Sequence, residues 1–335
     1  MKPVLALAAA ALMASASVGA MAAAAAFKVV DDIKGPDGGW DFVRVDPTHD
    51  RLWMTRGVSV MTVDLKSGEI RAGLAPGERL HDVLPVNGGH EILVTNGGTN
   101  SVAFADAVTG EVKARVPTGK NPDAAAYDPA TGLVLVMDHD GGEVVLIDPK
   151  AHRSVGTVAV GGGLEMAAVD GRGHAFVNVE DRNETVELDV RTRTVLRHIA
   201  LPGCDGPTGV AYIARKNWLV AACNGSTVVM DVAGASGETV ATLKTGEEAD
   251  GVAVDENRGL AFVPGREGNL SVISLAGDKP AVLQVIRTEA NNRTLALDPR
   301  NGRVYLPVAK LTPPVTQGGR PTAAPGTFHV LVVGS

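Results

Sequence analysis

The chain has 335 residues, a formal net charge of −7, 40 glycines and only two cysteines. An acidic chain with scattered Lys and Arg lacks the clustered basic surface that broad phosphate-backbone binding requires. Valine-rich alternation and frequent glycine, without sustained helical periodicity, exclude a helical bundle and point to an all-β protein with many tight turns.

The chain opens on a positive Met1-Lys2, an apolar, alanine-rich run from Val4 to Met13, and small residues in Ala-x-Ala spacings up to Ala26. That pattern predicts a secretory signal peptide over 1–26, with an apolar core too short for a comfortable membrane span. No later run is long enough to cross a bilayer. The expected product is a soluble, monomeric chain, periplasmic or secreted, with a single domain over 27–335.

From Trp40 onward one pattern recurs. The segments WDFVRVDP (40–47), HDVLPVNG (81–88), PDAAAYDP (122–129), LEMAAVDG (164–171), PTGVAYIA (207–214), ADGVAVDE (249–256) and NRTLALDP (292–299) align on their second residues. Those are Asp41, Asp82, Asp123, Glu165, Thr208, Asp250 and Arg293, spaced by 41 to 43 residues. Each segment is followed by turn residues and three further strand-like runs, as in LVLVMD, EVVLID and SVGTVAVG of the third unit. Four short strands per unit of about 42 residues is the arithmetic of a β-propeller blade. The seventh unit lacks an outer strand after TFHVLVV, and AFKVVDDIKG (26–35) is available to supply it. The expected fold is therefore an all-β, seven-bladed propeller closed by its N-terminal strand, which leaves no open sheet edge between first and last blades.

ILVTNGGTNSVAFADAVTGEV (92–112) resembles the YVTN-type propeller repeat, and all seven units are similar to the YncE-like family of exported bacterial propellers. The resemblance implies the seven-bladed fold and export. It carries no catalytic residues, and fold alone does not name a function.

In a propeller the first strand of each blade lines the central channel, so the seven aligned residues are expected at one channel mouth, five of them acidic. Two roles are open to these carboxylates. One is to accept hydrogen bonds from loop amides and fix each blade crossing; the other is to form a negative rim that attracts cations. Loops of the same face add His81, the Asp138-His139-Asp140 run, and Glu180, Asp181 and Arg182. His81, Asp138, His139 and Asp140 form a candidate set for Zn²⁺ or another divalent ion, although no compact metal motif is present. Two roles are open to the Pro- and Gly-rich stretch 309–326, a lid over the mouth or a mobile loop.

Cys204 and Cys223 flank a hairpin of the fifth unit and return to the same face, which predicts a disulfide in an exported chain. No Gly-x-Ser-x-Gly elbow, phosphate-binding glycine loop or Cys-x-x-Cys-His haem attachment occurs. The three tryptophans do not recur with the repeat, which argues against a quinone-dependent dehydrogenase propeller. The leading expectation is a non-enzymatic binding module whose acidic rim takes a cation, a small molecule or a protein or peptide partner. An alternative is a metal-dependent, lactonase-like hydrolase with Glu165, Asp250, Asp41 and Asn292 as ligands and Asp123 or Asp82 as base. Nucleic-acid binding is the third, and the acidic charge counts against it.

Overall fold

The computed structural model describes residues 26–313 and 321–335. The expected signal peptide, up to residue 25, and the centre of the 309–326 stretch lie outside the described residues. Seven four-stranded antiparallel sheets make up the architecture, with one additional two-stranded hairpin, Leu311–Thr312 with Thr322–Ala323. In the third blade the order from the axis outward is Pro122–Asp128, Leu133–Asp138, Glu143–Asp148 and Arg153–Ala159. Five other blades follow the same meander. The seventh runs Ala296–Asp298, Arg303–Val308, His329–Gly334 and then Lys28–Lys34, so the N-terminal strand completes the last blade as expected.

The strand pattern explains how the ring holds together. Second and third strands are buried on both faces, as in Leu133–Asp138 and Glu143–Asp148, because they lie between two neighbouring blades. Outer strands alternate between exposed and buried positions, as in Val112–Pro117. Apolar clusters fill the interfaces between consecutive blades: Trp53 and Val60 of the first blade pack with Ile92 and Val94 of the second, and Phe262 of the sixth with Val304 and Leu306 of the seventh. Burying such side chains stabilises the fold by about 1.5–3 kcal/mol each relative to exposure.

Threonine hydroxyls stitch consecutive blades to one another. Thr55 Oγ1 donates to the His81 carbonyl, Thr95 Oγ1 to Asp123, Thr208 Oγ1 to Ala249, and Thr294 Oγ1 to Asp41, the last joining the seventh blade to the first. Turns on the far face are closed by the aspartates that end the inner strands: Asp46, Asp128, Asp170, Asp255 and Asp298 each accept a turn amide, from Thr48, Ala130, Arg172, Arg258 and Arg300 respectively. The disulfide forms between Cys204 and Cys223, with Cα atoms 5.3 Å apart, and ties a crossing loop to the end of the second strand of its blade. A disulfide is consistent with an oxidising environment. No described helix is long and apolar enough to cross a membrane.

Candidate functional site

Three β-bulges build much of the channel mouth. In the second blade Leu80 pairs with Asn96 and Val83 with Val94, leaving His81 and Asp82 opposite the single residue Thr95. In the third, Asp123 and Ala124 face Met137; in the fourth, Glu165 and Met166 face Asn178. A bulge of this kind bends the strand and re-aims the side chain it carries. The pairing also corrects the alignment of the units. His81, not Asp82, is equivalent to Asp123 and Glu165, and Asp82 is equivalent to Ala124 and Met166. A one-residue slip of a strand exchanges its two faces.

Asp82 accordingly leaves the mouth. It is fully buried, forms a bidentate pair with Arg44 and accepts the amides of Val83 and Ala125, the latter at 2.9 Å across the blade crossing. Blade anchoring by a carboxylate is thus the role of Asp82. Thr208 is also buried, with its hydroxyl committed to the Ala249 carbonyl.

The remaining mouth residues come together in three groups. His81 Nδ1 lies 2.7 Å from Asp41 Oδ2 and 3.0 Å from Asp123 Oδ1. His139 Nε2 lies 3.3 Å from Glu165 Oε1 and 3.5 Å from Glu180 Oε2, while its Nδ1 is 2.9 Å from Asp140 Oδ1. Arg293 Nη2 is 3.0 Å from Asp250 Oδ2. No backbone amide donates to the side-chain oxygens of Asp41, Asp123, Glu165 or Asp250 among the described residues.

Asp138 does not join them. Its Oδ2 accepts the Gly119 amide at 2.8 Å, as Asn96 Oδ1 accepts the Glu78 amide in the preceding blade, so it fixes a crossing loop. Asp140 reaches the site only through His139. Asn292 is buried, and its amide donates to the Asn269 carbonyl and the Thr288 hydroxyl. The four-residue metal set expected from sequence therefore separates: both histidines face the mouth, and Asp138 and Asp140 support the scaffold around them. Glu180, read in the sequence only as one of several loop charges, is a direct partner of His139. Arg44 was missed; its place at an alternate position of a channel-lining strand, amid apolar neighbours, was the available signal.

Crowding sets the electrostatics. Burial raises Asp123 well above the usual carboxylate range, with the charges of Asp41, Glu165 and Asp250 adding to the effect. Asp250 is pushed up to about 7 by burial, against the pull of Arg293 and with help from Glu165 and Asp41. Burial also raises Glu165, opposed by its hydrogen bond to His139. The bonds from Glu165 and Glu180 raise His139 to about 11. Clustered groups with displaced pKa values in a concave site mark a candidate for binding or chemistry. The mouth opens into a cavity of about 420 Å³ whose lining includes Trp40, Asp41, Asp250, Arg266 and Arg293. Below it a cavity of about 450 Å³, lined by Arg44, Tyr127, Met166 and Asp250, occupies the channel.

No protein-family model matches the chain, and no curated protein matches it in sequence. Solved structures match in fold. A chain of the "Crystal Structure of Mitotic Checkpoint Complex" superposes with a TM-score of 0.76 at 13% identity, covering 100% of this chain and 99% of that one. "Structure of U3-55K" gives 0.74 at 13%, covering 90% and 98%. "Kuenenia stuttgartiensis Hydrazine Synthase" gives 0.71 at 14%, covering 82% and 94%. At these identities the likeness concerns the propeller fold alone.

Proposed function

We propose that this propeller is an exported binding module of the YncE-like, YVTN-repeat type that captures a cationic group, such as a protonated amine or a Lys- or Arg-bearing peptide segment, at its channel mouth. The observation that carries the reading is that, among the described residues, no backbone amide donates to the side-chain oxygens of Asp41, Asp123, Glu165 and Asp250. Carboxylates that only fixed blade crossings would be bonded as Asp82 is. Five mouth carboxylates, with Glu180 included, face His81, His139 and Arg293 as local partners, and the apolar ring of Trp40 lines the adjoining cavity. A focused negative field of this kind raises the local concentration of cations and speeds their capture. One of the similar folds belongs to a protein complex, and a partner seated on a propeller face suits this reading.

The test is isothermal titration of the purified, chelator-treated protein with a Lys/Arg-rich peptide and with an acidic peptide of the same length. The basic peptide is expected to bind, more weakly as salt rises, and the Asp123→Asn/Glu165→Gln double variant to bind at least tenfold more weakly. Equal affinity for the two peptides, or no loss in the double variant, would refute the reading.

A further inference from the structure

Each mouth histidine presents one ring nitrogen to two carboxylates drawn from different loops or blades. Asp41 Oδ2, His81 Nδ1 and Asp123 Oδ1 form one set, His139 Nε2, Glu165 Oε1 and Glu180 Oε2 the other, and the ligand atoms within each set lie within 4.8 Å of one another. The other ring nitrogen meets an oxygen acceptor in one case. For His139 that is Asp140 Oδ1, 2.9 Å from Nδ1. For His81, which is 8% exposed, the outward nitrogen Nε2 is buried without a partner, and so is Oδ1 of Asn121. A Cβ added at Gly97 would fall 2.8 Å from the former and 2.5 Å from the latter, so the two orphan atoms share one small space beside that glycine.

A proton on His139 Nδ1 serves Asp140, and one on His81 Nε2 would point into the space shared with Asn121. A metal ion that displaces the proton from the nitrogen facing the carboxylates would then meet a lone pair there, where three donors converge. Metal-bound imidazoles are held in this manner, with the non-ligating N–H directed at a carboxylate or carbonyl oxygen. One imidazole with two carboxylates, leaving room for solvent or a ligand atom, is a donor set for Zn²⁺ or Mn²⁺; Ca²⁺ prefers six to eight oxygens.

We propose that the mouth holds two divalent transition-metal ions, one on Asp41, His81 and Asp123 and one on His139, Glu165 and Glu180, with Asp140 orienting the His139 imidazole. The proposal rests on the cation-binding reading above and names the cation. Zn²⁺ alone is the first probe, Mn²⁺ the second and Ca²⁺ the control, each added to chelator-treated full-length protein and measured by equilibrium dialysis with elemental analysis.

Two equivalents of Zn²⁺ or Mn²⁺ per chain are expected, with Ca²⁺ bound at least tenfold more weakly. His139→Ala should abolish one equivalent and His81→Ala the other, each variant first shown to be folded by near-ultraviolet circular dichroism. Because His81 is buried, Asp41→Asn serves as the second variant of its set should His81→Ala fail to fold. Asp140→Asn should weaken the His139 site about tenfold without changing its stoichiometry, which a merely structural role for Asp140 would not produce. Absence of stoichiometric metal, or stoichiometry unchanged by the histidine variants, overturns the proposal. Metal-free protein that still binds the basic peptide would leave the wider reading standing; failure of both measurements removes both.

Discussion

On the face bearing the turns between third and outer strands, Asp64, Asp106 and Asp189 each accept two turn amides, from Lys66 and Ser67, Val108 and Thr109, and Arg191 and Thr192, at 2.8–3.0 Å. Their amides pull these carboxyls below the ordinary range, with burial acting weakly the other way. On the channel-mouth face Asp123, Glu165 and Asp250 receive no amide among the described residues, lie against other acids and are pushed up. The same residue type therefore stabilises the fold as an anion on one face and is costly as an anion on the other. Side chains that cost stability where the scaffold does not require them mark a candidate functional site, and this contrast supports the binding reading proposed above.

The largest effect that would sharpen this contrast is expected at Asp82. Asp82→Ala leaves Arg44 without its carboxylate and two amides without an acceptor, and should lower the unfolding free energy by about 3 kcal/mol in urea titrations, as broken buried pairs do. A loss below about 1 kcal/mol would return Asp82 to the mouth class.

Asp123→Asn should act in the opposite direction. Asp123 binds its proton more tightly in the folded state than in the unfolded chain, so folding loses stability as pH rises from about 4 through the folded-state pKa. The variant should match the parent protein near pH 4 and exceed it at pH 8 in the presence of chelator, by a margin that grows across that range. Asp250, raised to about 7, adds a fall of the same sign between about pH 4 and 7. Thermal unfolding across that range would show it, and a parent protein whose stability rises steadily from pH 4 to 8 would break the comparison.

The smallest effect is expected on the far face. Asp106→Ala removes the acceptor of two amides and the partner of Lys113 from one exposed turn and should lower stability at neutral pH by the smallest margin of the three changes. Since the folded-state pKa is depressed, that difference is present above about pH 4 and disappears as pH falls through the folded value. A pH-independent difference would mean that the turn aspartates do not act as anions.

Most of the fold could be read without coordinates. Seven units, their four strands and the closing role of 26–35 follow from a repeat in which each unit is one supersecondary element that cannot bury its apolar faces alone. The disulfide could be read as well, because Cys204 and Cys223 flank one hairpin and both its ends return to the same face.

The site was legible only in outline. Asp41, Asp123, Glu165, Asp250 and Arg293 stand at the mouth as their alignment implies, but His81 and Asp82 exchange places. The reason is the two-residue period of a strand: an offset of one position, invisible among HDVLPVNG and PDAAAYDP as strings, turns a side chain from the channel mouth into a blade interface. Partnership across blades was equally out of reach. His139 meets Glu165 and Glu180, and His81 meets Asp41 and Asp123, at separations of 26 to 42 residues that ring geometry alone turns into 2.7–3.5 Å. By itself the sequence determined that a closed ring would form and that acidic residues would collect at one end of its axis, because periodic burial dictates both. Which of those acids are satisfied by backbone and which are left facing one another was decided by bulges and blade crossings, where the register of neighbouring strands is set by packing.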